Sequence, residues 1–180
     1  GPNVMQGYHN KPDATRQVMT TDGGFRTGDR GRLDEDGYLF ITGRIKEQYK
    51  LENGKYVFPT AIEEEIKLLP WVENAMIYGE GRPFNTCLIV PDFVVLGKYA
   101  REHQLPDDPS QLAADQGVQT MIAGEIASFL DGKFARYEIP KTFLWLTENF
   151  SLENGTLTQT MKLKRRSVLE QYQSQLEALY

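Results

Sequence analysis

The sequence has few residues of the kinds that build covalent cross-links and metal centres. It contains one cysteine, Cys87, and two histidines, His9 and His103, among 180 residues. An internal disulfide is therefore excluded, and so is a histidine-rich metal site. Cys87 lies in an apolar run with no histidine near it in sequence, which favours a buried strand thiol over a nucleophile.

Long apolar runs and an excess of positive charge are also lacking. The apolar stretches are a few residues long, well short of the roughly 20 that a spanning helix needs, and no signal-peptide pattern opens the chain. The formal net charge of −5 argues against a nucleic-acid partner or an anionic membrane as the target of the whole surface. We therefore predict a soluble, cytoplasmic protein with at most peripheral membrane association.

What the sequence does contain predicts two regions of different character. Residues 1–43 consist of turns and short β-rich pieces, with a short helix from Pro12, and offer little to build a core. After Arg44 the pattern predicts a small α+β domain, a short sheet with packed helices. Residues 1–43 are therefore predicted to be the rim of a larger β-rich structure.

The predicted elements of the second region follow from turn signals and apolar periodicity. A tight turn is expected at residues 52–55, and a capping box of Thr60 and Glu63 is expected to open a helix. The further expected elements are strands at 72–78, 86–90 and 143–146, and helices at 93–103, after 110 and from Ser167.

Three clusters carry the polar groups best suited to chemistry. Asp29 lies in a glycine turn, where its carboxylate can bind a vicinal diol or merely satisfy its own backbone. A basic junction runs from Gly43 to Lys50, and its alternative interpretation is a solvated linker. The third cluster, at 154–166, ends in four basic residues among five positions and can present a lysine to a phosphate, or can simply begin a helix.

The order of these clusters resembles the C-terminal part of the adenylate-forming superfamily, and in particular the AMP-forming acyl-CoA synthetases. The matching motifs span nearly the whole chain. They are Gly1-Pro2-Asn3-Val4-Met5-x-Gly7-Tyr8-x-Asn10-x-Pro12-x-x-Thr15, Phe25-Arg26-Thr27-Gly28-Asp29, Asp36-Gly37-Tyr38 through Gly43-Arg44-x-Lys46-Glu47, Asn53-Gly54-Lys55-x-Val57-x-Pro59-x-x-Ile62-Glu63, and the basic cluster.

The form of the last motif is similar to that of long-chain fatty acid–CoA ligases. Peptide-synthetase and luciferase-like members usually carry glycine before the final lysine, whereas here Met161 precedes Lys162. The helical insertion at about 93–136 points to the same branch.

The resemblance implies a role for each matching residue. Lys162 matches the catalytic lysine of adenylation, Asp29 the ligand of the ribose hydroxyls, and Arg44 a residue near ribose and phosphate. Residues 1–43 match the end of the family's large N-terminal domain, 44–50 its hinge and 51–180 its mobile C-terminal domain. Lys46 matches the hinge position, and Gly54 lies where the coenzyme A tunnel is expected. Lys164 or Arg165 stays open as an alternative catalytic cation.

The resemblance also implies substrates and a partner. The reaction joins a fatty acid to coenzyme A at the expense of ATP, through acyl-AMP, with Mg²⁺ bound mainly by an N-terminal domain that this chain lacks. The isolated chain is therefore expected to be inactive. Two alternatives stay open: an adenylating enzyme that loads a carrier protein, and a binding domain without catalysis.

Overall fold

The computed structural model describes residues 1–180, and the chain divides into two compact units, Gly1–Glu47 and Gln48–Tyr180. The first unit contains helix α1 (Pro12–Val18) and an antiparallel pair of strands, β1 (Asp29–Leu33) and β2 (Leu39–Arg44). Pro12 opens α1 as the sequence predicted, because its fixed φ suits the first helical turn.

The first unit has almost no interior. Gly43 is its one buried residue. Its large apolar side chains stay on the surface of the strand pair and the segments that flank it: Leu33, Tyr38, Leu39, Phe40, Ile41 and Ile45 are all between 44% and 69% exposed. Such a concentration of exposed apolar groups is typical of a surface that another part of a protein covers.

The second unit is built around a three-stranded sheet. Its elements are β3 (Tyr49–Lys50), β4 (Tyr56–Val57), α2 (Pro59–Ile66), β5 (Val72–Tyr78), β6 (Thr86–Pro91), α3 (Phe93–Glu102), α4 (Pro109–Ala114), α5 (Gln116–Leu130), β7 (Thr142–Trp145) and α6 (Arg165–Glu177). The sheet order is β5-β6-β7, with β6 antiparallel to β5 and parallel to β7, while β3 and β4 form a separate small hairpin.

The sheet separates two apolar cores. Every residue of β6 is buried, because its alternate side chains enter opposite cores. Cys87 and Ile89 join the core shared with α2, α3 and α5, whereas Leu88 and Val90 join the core beneath α6. The α+β prediction is confirmed, and Cys87 is fully buried on a strand as expected. None of the helices is both long enough and apolar enough to cross a membrane.

Three details of the prediction were wrong. Helix α2 begins at Pro59 with Phe58 at the N-cap and no side-chain cap hydrogen bond, so there is no capping box of Thr60 and Glu63. The long helix after residue 110 is two helices, α4 and α5, because Asp115 ends the first and caps the second by accepting a hydrogen bond from the Val118 N–H at 2.9 Å. The last helix begins at Arg165, two residues before Ser167.

Candidate functional site

In the first unit, the strand pairing brings Asp29 and Arg44 together. The two residues lie opposite each other on β1 and β2, and Arg44 Nε is 3.2 Å from Asp29 Oδ1. The turn before Asp29 is fixed by glycine, since Gly28 has φ +78° and its carbonyl accepts a hydrogen bond from Ile45 N–H at 2.9 Å. Side-chain exposure is 27% for Asp29 and 51% for Arg44, so both can reach a ligand.

Lys46 lies two residues after Arg44, in the turn that ends the first unit. Its side chain is exposed, and the turn is closed by a hydrogen bond from Glu47 N–H to the Arg44 carbonyl at 3.1 Å. The division between the two units falls one residue later, after Glu47.

In the second unit, Gly54 lies in the turn of the β3–β4 hairpin. It has φ +79°, a left-handed conformation that favours glycine, and a Cβ added there would meet no atom within 4 Å. Hydrogen bonds from Gly54 N–H to the Leu51 carbonyl (2.8 Å) and from Lys55 N–H to Asn53 Oδ1 (3.0 Å) fix the turn. The position thus presents bare backbone to open space.

Lys162 lies near the tip of a narrow loop formed by residues 156–164, which we call the lysine loop. Its two arms are joined by hydrogen bonds from Thr158 N–H to the Lys162 carbonyl (2.8 Å) and from Lys164 N–H to the Thr156 carbonyl (2.7 Å). The Lys162 N–H also donates to Thr158 Oγ1 at 3.0 Å. The backbone of Lys162 is therefore held while its side chain is exposed.

Met161, just before the lysine, has φ +60°, which is left-handed backbone in a residue other than glycine. Glycine would suit this position better, because it adopts positive φ without a steric penalty.

The four basic residues of the cluster differ in their surroundings. Lys162 and Lys164 have exposed side chains that enter no ion pair in this structure. Arg166 pairs with Glu170 at 3.0 Å on the surface of α6. Arg165 is turned inward and pairs with Glu63, so it is already engaged with a carboxylate and is a poor candidate for binding a phosphate.

Glu63, predicted to be part of a capping box, is instead a buried partner of Arg165. Its side chain is 7% exposed and accepts a hydrogen bond from Ile77 N–H at 2.6 Å, while also pairing with Arg165. Burial raises the pKa of the Tyr49 hydroxyl and of the Cys87 thiol. The negative charge of the Glu63 carboxylate is the second cause and raises both pKa values further. No signal in the local sequence could have revealed a partner 102 residues away.

The structure contains no cluster of three or more His, Cys, Asp or Glu side chains that could hold a metal ion. A shallow groove of about 350 Å³ beside the end of α5 includes none of the five predicted site residues. The polar groups suited to chemistry are thus the Asp29–Arg44 pair, the Gly54 turn and the lysine loop.

Comparison with known proteins shows which family the chain is similar to. Residues 46–108 match the family model described as AMP-binding enzyme C-terminal domain. The chain is 39% identical, over its full length, to a putative fatty-acid–CoA ligase of Mycobacterium tuberculosis, of which it covers 32%. It is 34% identical, over 98% of its length, to a long-chain-fatty-acid–CoA ligase of the same species, of which it covers 30%.

The chain also resembles solved structures in its fold. The structure superposes on the adenylation domain of a carboxylate reductase from Mycobacterium chelonae with a TM-score of 0.78 at 29% identity, over 97% of this chain and 26% of that one. The chain thus spans about a third of the length of the curated relatives it matches. It belongs to the family of AMP-binding enzyme C-terminal domains, and the relatives that it matches over nearly its whole length are fatty-acid–CoA ligases.

Proposed function

We propose that this chain supplies the adenylation lysine and the coenzyme A-facing surface of a long-chain fatty acid–CoA ligase. The whole enzyme would convert a fatty acid, ATP and coenzyme A into acyl-CoA, AMP and pyrophosphate through acyl-AMP. The observation that carries the assignment is the lysine loop, which holds the backbone of Lys162 and leaves its side chain exposed and without an ion-pair partner. The full-length similarity to fatty-acid–CoA ligases supports the choice of substrate.

In the first half-reaction, a fatty acid carboxylate oxygen attacks the α-phosphorus of ATP and pyrophosphate leaves. Negative charge then builds on the α-phosphate and on the leaving pyrophosphate. A cation placed there stabilises the transition state more than the ground state, which is the largest single effect in many enzymes. Lys162 is the residue of this chain that we assign to that task.

The Asp29–Arg44 pair is suited to holding the nucleotide during this step. The Asp29 carboxylate can accept hydrogen bonds from both ribose hydroxyls, and the neighbouring Arg44 guanidinium can face ribose or phosphate. A related structure, the adenylation domain of a carboxylic acid reductase from Segniliparus rugosus, contains AMP and a co-purified carboxylic acid; it is 26% identical with a TM-score of 0.78 over 98% of this chain and 26% of that chain. That similarity supports a nucleotide as the ligand of this pair.

In the second half-reaction, the coenzyme A thiol loses its proton and attacks the acyl carbonyl, and AMP leaves. We assign the Gly54 turn to the wall of the thiol's tunnel, because its bare backbone leaves room for the slender pantetheine arm. Lys46 is the proposed hinge about which residues 51–180 would swing between the two steps. A swing removes Lys162 from the place that the thiol must enter.

The other parts of the active site would belong to the N-terminal domain of the same enzyme. Residues 1–43 would complete a large N-terminal domain that carries the acyl pocket and most of the nucleotide site. Mg²⁺ would be bound there too, since this chain has no cluster of three or more His, Cys, Asp or Glu side chains that could hold a metal ion. The 180-residue chain alone would then release no pyrophosphate from ATP and a fatty acid.

The test is a comparison of the two half-reactions in the whole enzyme. Lys162→Ala should slow pyrophosphate release on the order of 10²–10³-fold, because it removes one positioned donor. It should leave acyl-CoA formation from supplied acyl-AMP nearly unchanged. Lys164→Ala is the matched control and should be mild. Equal slowing of both steps by Lys162→Ala, or a larger effect of Lys164→Ala on adenylation, would overturn the assignment of Lys162.

The Gly54 turn is tested by the reverse pattern. Gly54→Trp should spare adenylation and block thioester formation. Gly54→Asn is the matched control, because asparagine tolerates the left-handed conformation with a smaller side chain. Offering coenzyme A or a carrier protein as the acceptor separates a ligase from an enzyme that loads carrier proteins, and the proposal requires coenzyme A.

A further inference from the structure

The lysine loop ends at a buried ion pair. Arg165, the first residue of α6, follows the loop directly, and its guanidinium pairs with the Glu63 carboxylate from α2. The Glu63 side chain is 7% exposed and that of Arg165 is 24% exposed. A pair buried to this extent is sensitive to the loss of either partner, because the other is left as an uncompensated charge.

The pair is also tied to the sheet. Strand β5 lies at one side of the sheet, and its residue Ile77 directs both backbone groups to the ion pair. Ile77 N–H donates to Glu63 Oε1 at 2.6 Å, and the Ile77 carbonyl accepts from Arg165 Nη1 at 3.3 Å. Arg165 is thus held by a carboxylate and a carbonyl that belong to two different elements of the core.

This anchor lies a short distance along the chain from Lys162. Lys164, next to Arg165, donates its N–H to the Thr156 carbonyl. Two residues closer to the tip of the loop, the Lys162 carbonyl accepts a hydrogen bond from the Thr158 N–H. Only Leu163 and Lys164 separate Arg165 from Lys162 along the chain. The direction in which the loop leaves α6, and with it the place that Lys162 can reach, depends on the position of Arg165.

We propose that Glu63 is a positioning residue for adenylation, which acts through Arg165 to hold the lysine loop and aim Lys162. This inference rests on the assignment of Lys162 in the proposed function. Glu63 touches no substrate in this scheme. Its effect should therefore appear in the one half-reaction that uses Lys162 and be absent from the other.

The first experiment measures both half-reactions of the whole enzyme carrying Glu63→Gln, well below its melting temperature. Glutamine keeps the size of the side chain and an acceptor for Ile77 N–H, but loses the charge that holds Arg165. Adenylation should fall about 10–100-fold, as expected for a misplaced catalytic group, while thioester formation from acyl-AMP stays within about twofold. Glu65→Gln is the matched control on the same helix, because Glu65 pairs with Lys133 at the surface, and it should change neither step.

A double variant separates positioning from general stability. If Glu63 acts through Lys162, Glu63→Gln combined with Lys162→Ala should adenylate no more slowly than Lys162→Ala alone. If the adenylation rate of the double variant fell by the product of the two single losses, the proposal would be overturned in favour of a purely structural role. Equal slowing of both half-reactions by Glu63→Gln would overturn it in the same way.

Hydrogen exchange tests the anchor independently of catalysis. The backbone amides of Thr158, Lys162 and Lys164 should exchange faster in Glu63→Gln than in the wild type or Glu65→Gln. Unchanged exchange would refute the anchor. A different outcome is also informative: exchange is faster in Glu63→Gln, but Lys162→Ala leaves the adenylation rate intact. That combination would refute the catalytic assignment of Lys162, while the role of Glu63 in anchoring the loop would stand.

Discussion

The left-handed backbone at Met161 leads to a prediction about the stability of the lysine loop. A residue with a Cβ is roughly 1–2 kcal/mol less stable in this conformation than in the right-handed one, and Met161 has φ +60°. Glycine avoids that penalty, although its greater freedom in the open loop offsets part of the gain, by about 0.5–1 kcal/mol. Met161→Gly should therefore stabilise the closed loop by about 0.5–1 kcal/mol.

The expected gain is measurable by amide hydrogen exchange. A stabilisation of about 0.5–1 kcal/mol corresponds to roughly two- to fivefold slower opening-limited exchange at the amides of Thr158 and Lys164, which pair across the loop. Met161→Ala is the control: it removes the side chain, which is 66% exposed, but keeps a Cβ and hence the strain. If Met161→Ala slowed exchange as much as Met161→Gly, the effect would come from the side chain and the argument from backbone strain would be refuted.

Three further predictions concern burial. Cys87 should react with a thiol reagent at pH 8 orders of magnitude more slowly in the native protein than in denaturant, because burial excludes the reagent and raises the pKa of the thiol; equal rates would contradict the structure. Folding raises the pKa of the Cys87 thiol above its value in the unfolded chain, which is about 8.5. The stability of the native state should therefore decline as the pH rises above about 8.5, because the unfolded chain loses the thiol proton more readily. In the isolated chain, amides of residues 1–43 should exchange fastest, because this region has one buried residue and many exposed apolar side chains; strong protection there in a monomer would argue against the need for a covering domain.

Much of the fold could be predicted from the sequence, since most of its elements carry local signals. The turn at Gly54 and the run of β6 were expected from residue types alone, and both are present. The break between α4 and α5 also has a local signal: Asp115 is a good N-cap residue, and its side chain accepts a hydrogen bond from the N–H of Val118, three positions later.

The capping box failed for a reason that no local rule contains. Thr60 and Glu63 have the right spacing, but Pro59 is better suited to the first helical position, which places Thr60 inside the helix. Glu63 is instead drawn into the core by Arg165, a partner from the other end of the domain. Tertiary contacts thus override the local motif.

For the candidate site, the family resemblance picked out the residues, whereas their contacts and backbone conformations became visible only in the structure. Asp29 and Arg44 were chosen separately from matching motifs, and the strand pairing places them side by side. The positive φ of Met161 could not be foreseen from a methionine. The inward turn of Arg165 could not be foreseen either, because the basic residues around it are indistinguishable in sequence.

The ion pair at Ile77 has a consequence beyond the loop that it anchors. An outer strand with free backbone donors and acceptors is a template on which another polypeptide can add a strand, and this is a common route to aggregation. In β5, the groups of Ile77 that such an incoming strand would need are already occupied by Glu63 and Arg165. Charged side chains at the margin of the sheet thereby discourage self-association of a domain whose sheet has only three strands.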